Sequence, residues 1–169
     1  MQFLVDFYII SLNIVDMIKQ KVYIDTSVIG GCFDDEFSDV SNKLFEEFKD
    51  GKKIAVISNI TALELEKAPE RVKNKLSEIP EHSIEKITLS FEAEELSNKY
   101  ISEEVISPNF VEDARHIAIA TIMKVDVLAS WNFKHIVNLK KIYGYNAVNL
   151  KEGYPLLEIR SPLEVLDEE

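Results

Sequence analysis

The chain has few of the residues that build specialised metal sites and cross-links. Among its 169 residues there are one cysteine and three histidines. The lone Cys32 excludes an intramolecular disulfide and a zinc site built from cysteines, and three histidines leave little for an all-histidine site. A metal would therefore need oxygen ligands, which favours Mg²⁺ or Mn²⁺. A single cysteine also fits a reducing compartment, so we expect a cytoplasmic protein.

Positive charge is scarce as well. Lysine and arginine together number 19 against 30 aspartates and glutamates, which gives a net charge of −11. Because attraction to phosphate normally comes from lysine and arginine, this balance argues against broad electrostatic binding of nucleic acid. It does not exclude a nuclease, since a cluster of acids that binds divalent cations inverts the local charge. A specific site therefore outweighs the overall charge.

A long uninterrupted hydrophobic run is also missing. Residues 1–20 are rich in Phe, Ile, Leu and Val, but Asp6, Asn13 and Asp16 interrupt them. A membrane-spanning helix needs about 20 largely apolar residues, and a secretory signal needs a cationic start and a small-residue cleavage site. We therefore expect no membrane association. Residues 1–20 are either an additional packing helix or the product of an upstream start, with Met17 as the natural one.

Beyond residue 20, short apolar runs alternate with amphipathic ones. Such alternation predicts βαβ units, and hence an α/β fold: a three-layer α/β/α domain with a mainly parallel, about five-stranded sheet. We place this domain at residues 21–150, followed by a C-terminal tail at 151–169. The predicted strands are 21–25, 54–58, 84–89, 126–130 and 146–149. The predicted helices are 38–49, 59–65, 90–104, 111–123 and 133–142, the last stopped at Gly144. A turn or helix is predicted at 69–76, a loop after Ser27 and a final turn at 163–166.

Acidic and hydroxyl side chains stand where the predicted strands end. In open parallel sheets ligands bind beyond the carboxyl ends of the strands, and these positions converge there if the first strand is central and the second and fourth flank it. Carboxylates held close together repel one another unless a divalent cation neutralises them. Such a site suits metal-assisted hydrolysis of a phosphodiester. The residues are Asp25 after the first strand, Ser58 at the end of the second, Glu64 on the next helix, Asp113 at a later helix start, and Ser130 and Asn132 after the fourth strand.

These stretches resemble the four motifs of PIN-domain ribonucleases, in particular the VapC-like toxins of prokaryotic toxin–antitoxin pairs. The resemblance covers about residues 21 to 150. Where the family's fourth motif usually has an aspartate, this chain has Asn132, within a Trp-Asn-Phe-Lys-His sequence that is typical of a subgroup. The matching segments are Tyr23-Ile24-Asp25-Thr26-Ser27, Ser58-Asn59-Ile60-Thr61-Ala62-Leu63-Glu64, Asp113-Ala114-Arg115-His116-Ile117-Ala118 and Asp126-Val127-Leu128-Ala129-Ser130-Trp131-Asn132.

The resemblance implies an endoribonuclease that uses Mg²⁺ or Mn²⁺ to hydrolyse RNA. It also implies a toxin with an antitoxin partner, and a homodimer. Asp25, Glu64 and Asp113 would hold the metal, directly or through water, and Asn132 would replace the fourth acid as a weaker ligand. Four further residues are implied around the metal or the substrate: Thr26 and Ser27, which would orient Asp25 or contact phosphate, together with Ser130 and His116.

Each of these assignments has a simpler structural alternative. Asp25 and Asn132 could be caps of a turn and a helix, and Asp113 could be favoured by the dipole of its helix. His116 could orient a carboxylate, contact RNA, or be an ordinary buried histidine.

Trp131 and Asp126 both belong to the fourth matching segment. Trp131 could stack on a base or pack beside the strand end. Asp126 begins its strand and is therefore predicted at the opposite edge of the sheet. Because of Asn132 and the net acidity, the alternative function is a catalytically weak PIN domain that acts as an RNA-binding or protein-interaction module.

Overall fold

A parallel β-sheet of five strands forms the centre of the protein. The structure, a computed structural model, describes residues 18–166; residues 1–17, which include most of the predicted extension and the alternative start, and residues 167–169 lie outside the described residues. The strand order is β3-β2-β1-β4-β5, and every pairing is parallel. This confirms the predicted α/β class and the central place of the first strand. The strands are β1 (Gln20–Ile24), β2 (Lys53–Ser58), β3 (Ile84–Ile87), β4 (Val127–Ala129) and β5 (Ile159–Arg160).

Helices cover both faces of this sheet. None of those in the described part of the chain is long and apolar enough to cross a membrane. The α-helices are α1 (Thr26–Gly31), α2 (Ser38–Lys49), α3 (Asn59–Leu65), α4 (Glu70–Lys73), α5 (Phe91–Ser102), α6 (Val111–Ile122), α7 (Leu139–Lys151) and α8 (Pro162–Val165), and 3-10 turns lie at Asn74–Glu78, Glu81–Ser83 and Pro108–Phe110.

The alternation of side chains along β1 creates two hydrophobic cores. Val22 and Ile24 point to the face covered by α1, α2 and α3, whereas Tyr23 points to the face covered by α5, α6 and α7. All three side chains are completely buried. A strand that is buried on both sides reads as a continuous apolar run, which is why β1 was recognisable in the sequence.

Three predicted elements are wrong. The segment after Ser27 is the six-residue helix α1 rather than a loop. The predicted helix 133–142 and strand 146–149 are replaced by a turn and by α7, which passes through Gly144 and continues to Lys151. The fifth strand is Ile159–Arg160, so residues 159–165 of the predicted tail belong to the domain. In α7 the buried Tyr145, Val148 and Asn149 have the spacing of one helical face. This helical packing outweighs the strand-like pattern that the sequence shows at 146–149.

Gly144, which the sequence predicts as a helix stop, has a packing role. A Cβ added at Gly144 would lie 2.7 Å from Cγ1 of Val105, in the segment that follows α5. Real Cβ atoms do not approach so closely, and helix α7 can therefore lie against Val105 because residue 144 has no side chain. Close approach of another part of the chain is a recognised reason for a glycine inside a helix.

Gly144→Ala should destabilise the protein, although alanine ordinarily favours a helix over glycine by about 1 kcal/mol. Overpacking against Val105 should lower the free energy of unfolding by about 1–2 kcal/mol, measured by urea denaturation. In a Val105→Ala background the same substitution should stabilise instead. Gly30→Ala is the control, because no atom lies within 4 Å of a Cβ at Gly30. Equal stabilisation by Gly144→Ala in both backgrounds would contradict the close approach.

Candidate active site

The carboxyl ends of three adjacent strands bring the predicted site residues together. Asp25 directly follows β1, Ser58 ends β2, and Ser130 directly follows β4. Because β1 lies between β2 and β4, these three positions share one edge of the sheet. Asp126 lies at the other end of β4, where its Oδ2 accepts a hydrogen bond from the backbone N–H of Lys21 at 2.7 Å. The predicted position of Asp126 at the opposite edge of the sheet is confirmed.

Asp25 is a buried carboxylate whose two oxygens are both hydrogen-bonded. Its Oδ1 accepts from Ser27 Oγ at 2.5 Å and from the backbone N–H groups of Ser27 and Val28 at 3.1 and 3.3 Å, so that Asp25 caps α1. Its Oδ2 accepts from Ser130 Oγ at 2.6 Å. Burial raises the pKa of Asp25, while the charge of His116 and the hydrogen bonds from both serines favour the ionised form.

Glu64 is held by two partners from other elements. Thr26 donates its hydroxyl proton to Oε2 of Glu64, and Nε2 of His116 lies 3.2 Å from the same oxygen. Thr26 therefore orients Glu64 rather than Asp25, and Ser27 alone of the two hydroxyls orients Asp25. His116, for which three roles were open, is both buried and in contact with a site carboxylate.

A buried chain of hydrogen bonds continues from His116. Its Nδ1 shares a hydrogen bond of 2.6 Å with the hydroxyl of Tyr23, which lies 2.8 Å from Ser58 Oγ. Burial alone would lower the pKa of His116, but the hydrogen bond to Glu64 and the surrounding carboxylates raise it. When the imidazole is protonated, both ring nitrogens donate, one to Glu64 and one to Tyr23. Burial alone would also raise the pKa of Glu64, yet His116 and Thr26 hold it below its ordinary value.

Sequence reasoning missed Tyr23 as part of this site. The signal was present, because a tyrosine stands one residue before the strand end among aliphatic residues, and a buried tyrosine hydroxyl needs a partner. The sequence does not identify the hydrogen-bond partner of the Tyr23 hydroxyl. His116 is 93 positions away and reaches Tyr23 only through the packing of α6 on the sheet.

Asp113 faces the amide of Asn132. Nδ2 of Asn132 donates to Oδ1 of Asp113 at 3.1 Å, and Oδ1 of Asn132 accepts the backbone N–H of His135 at 3.0 Å. The amide oxygen thus caps the turn at residues 133–137, and the amide nitrogen is the group that faces the acids. The pKa of Asp113 is raised to about 6, mainly by burial and further by the charges of Asp25 and Glu64.

The carboxylates have the chemistry of a site for a hard divalent cation. Oε1 of Glu64 and Oδ2 of Asp113 accept no hydrogen bond from residues 18–166. Within that same range no three His, Cys, Asp or Glu side chains are placed to ligate one ion together. Mg²⁺ commonly retains several waters and uses one or two protein carboxylates together with substrate phosphates. The donor set therefore fits Mg²⁺ or Mn²⁺ bound in part through water. The predicted ligation by Asp25, Glu64 and Asp113, directly or through water, stays a prediction.

Comparison with known proteins adds to the description of the fold. No protein-family model and no curated protein matches this chain. A solved structure of VapC20 from Mycobacterium tuberculosis, a sarcin-ricin loop cleaving toxin, has 12% sequence identity and a TM-score of 0.49, over 67% of this chain and 91% of that chain. The structure of VapBC2 from Rickettsia felis, bound to a DNA fragment from its promoter, has 16% identity and a TM-score of 0.52, over 84% of this chain and 98% of that chain. The fold is thus the PIN-like α/β/α fold of a VapC-type structure.

Asn132→Asp should have opposite effects without and with a divalent cation. In EDTA the new carboxylate loses the hydrogen bond to Asp113 and repels it, which should cost about 1–2 kcal/mol of stability. With Mn²⁺ the added charge should enlarge the rise in melting temperature beyond that of the wild type. Thermal unfolding in EDTA and in MnCl₂ measures both effects. A variant with unchanged stability in EDTA and an unchanged response to Mn²⁺ would show that Asn132 does not face the acids.

Tyr23→Phe should weaken the site through His116. The substitution leaves Nδ1 of His116 buried without a partner, which should cost about 1–3 kcal/mol. It should also reduce the stabilisation by Mn²⁺, because Glu64 loses its oriented neighbour. Tyr100→Phe is the matched control, since the Tyr100 hydroxyl is also buried and donates to Asn149 at 2.5 Å within α5–α7 packing. If both variants respond to Mn²⁺ alike, the Tyr23–His116 pair has no role in positioning Glu64.

Proposed function

We propose that this protein is a metal-dependent endoribonuclease that hydrolyses RNA phosphodiester bonds. The observation that carries the proposal is the electrostatic proximity of Asp25, Glu64 and Asp113, which come from three separate elements near the carboxyl end of the central strand. Their electrostatic coupling supports it, because the charges of Asp25 and Glu64 contribute to the raised pKa of Asp113. The likeness of the fold to VapBC2 is consistent with this function.

The chain orients each acid before substrate arrives. Ser27 and Ser130 hold Asp25, Thr26 and His116 hold Glu64, and Asn132 donates to Asp113. Groups that are fixed in advance need no reorganisation during the reaction, which is the main source of electrostatic catalysis. A divalent cation, when bound by these acids, would neutralise phosphate charge and activate water.

The proposed context is a toxin–antitoxin pair, in the cytoplasm, with an antitoxin protein as partner and a homodimer as the assembly. An exposed apolar stripe on α7 supports an interaction with protein. Leu139, Tyr143 and Leu150 lie within one narrow sector of the helix and are 66%, 67% and 61% exposed. Large apolar side chains that share one exposed face are typical of an interaction surface.

The second candidate is a PIN domain with weak or no catalysis that binds RNA or protein. The orientation of Asn132 favours it, because the amide oxygen is occupied by the turn at 133–137 and the fourth carboxylate is missing. The two candidates share the fold and differ in whether cleavage depends on the acids.

Cleavage of a single-stranded RNA oligonucleotide tests the proposal. The wild type should cleave with Mn²⁺ or Mg²⁺ and not in EDTA, and Asp25→Asn and Glu64→Gln should each reduce the rate about 100-fold or more. Glu66→Gln is the control, since it removes the same charge from an exposed position two residues from Glu64. Unchanged cleavage in the two site variants would show that the site is wrong. RNA binding by the wild type without cleavage would favour the second candidate.

A further inference from the structure

Three aromatic rings lie directly beside the carboxylate site. The indole of Trp131, next to Ser130, stacks on Phe37 with ring centroids 4.4 Å apart and an interplanar angle of 18°. The ring of Phe133 lies against both, at 6.5 Å from Phe37 and 6.0 Å from Trp131. We call Phe37, Trp131 and Phe133 the aromatic platform. Phe133 is 49% exposed, whereas the other two rings are partly buried.

The platform is fixed to the same serine that orients Asp25. Ser27 Oγ donates to Asp25 at 2.5 Å and accepts the backbone N–H of Trp131 at 2.9 Å. The indole N–H donates to Ser41 Oγ at 2.9 Å. A Cβ at Gly31 would lie 2.9 Å from the indole, so the ring is seated tightly on α1. Trp131 therefore packs beside the strand end, and Phe133 is the ring left open to solvent.

A cation accompanies the platform in an otherwise acidic chain. Lys134 is exposed and follows Phe133, and its Nζ lies 5.7 Å from the ring centroid of Phe110. Phe110 in turn stacks on His135 at 3.7 Å. The pKa of His135 is lowered by burial and by the charges of Lys134 and Lys141, in keeping with a positive local potential.

We propose that the aromatic platform is a nucleobase subsite, on which one unpaired base of single-stranded RNA stacks against Phe133, next to Trp131. The proposal rests on the proposed function and specifies its substrate. Phosphate next to the stacked base would be attracted to Lys134, while the neighbouring acids serve the scissile phosphate. Aromatic stacking accepts any base, because every base has a π-face, but a base inside a duplex has no free face to offer. The platform thus selects single strands without selecting sequence.

The exposure of Phe133 favours a base-binding role of the aromatic platform over a purely structural one. A cluster that served only to attach α2 to the loop after β4 would bury its outermost ring, and any apolar side chain of similar size would do. Here the open ring is aromatic, adjoins the site acids through Ser130 and Asn132, and precedes a lysine. Aromatic rings combined with a neighbouring cation are the elements by which proteins bind single-stranded nucleic acid.

Binding of RNA in CaCl₂, with RNA integrity checked on a gel, tests the subsite apart from catalysis. The probe is an unstructured 12-nucleotide RNA, alone or annealed to its complement. Trp131 is the one tryptophan of the chain, so its emission reports on stacking. The single strand should quench this emission and bind more tightly than the duplex. Phe133→Ala should weaken single-strand binding about tenfold, and Phe133→Tyr should retain it. Phe91→Ala is the control, because Phe91 is 81% exposed at the start of α5.

Several outcomes would overturn the subsite. These are no binding of the single strand by the wild type, equal affinity for single strand and duplex, or equal behaviour of Phe133→Ala and Phe91→Ala. Loss of self-association in Phe133→Ala on gel filtration, with RNA affinity unchanged, would identify the platform as a protein contact instead. The nuclease proposal is judged separately by cleavage. Selective binding that depends on Phe133 without any cleavage would support the subsite and refute the nuclease.

Discussion

The structure around the sheet edge depends on the hydrogen bonds that one buried carboxylate, that of Asp25, must accept. Asp25 is 5% exposed, and burying an unpaired charge would cost several kcal/mol. Its partners are two backbone N–H groups at the start of α1 and the hydroxyls of Ser27 and Ser130. These bonds begin a helix directly after the central strand and fix the end of that strand to β4. The capping role and the proposed metal-binding role of Asp25 are compatible, because Oδ1 accepts the capping bonds whereas Oδ2, within residues 18–166, accepts only the bond from Ser130 and keeps a lone pair.

Ser27 and Ser130 connect Asp25 to the loop after β4, because a hydroxyl donates one hydrogen bond and can accept two more. Ser27 donates to Asp25 and accepts from the backbone of Trp131; Ser130 donates to the other oxygen and accepts from the backbone of Asn132 at 2.9 Å. These hydrogen bonds therefore fix the position of the loop after β4 relative to Asp25. Asp25, the aromatic platform and Asn132 are thus connected by one set of hydrogen bonds.

The sequence predicted the sheet, its central strand and the shared edge of Asp25, Ser58 and Ser130, because the strand ends of a parallel sheet lie at one edge whatever the loops do. It failed where local pattern and tertiary packing disagree. Gly144 resembled a helix stop but lies inside α7, since Val105 fills the space of a side chain. The six-residue α1 was too short to show periodicity. The bond between Tyr23 and His116 joins residues 93 positions apart, and no local pattern contains such information.

Asn132 is the departure from the acidic pattern, and its geometry gives a physical reason for an amide at this position. Asp113 is partly buried near two other carboxylates, and its pKa is raised to about 6. A fourth carboxylate would add repulsion to a group whose ionised form burial and two neighbouring charges already destabilise, whereas the amide of Asn132 donates a hydrogen bond to it. The amide therefore lowers the electrostatic cost of assembling the acids before any cation binds. The same replacement removes one charge that would attract the cation. At this position an amide therefore favours stability without a metal, whereas a carboxylate would favour affinity for the metal.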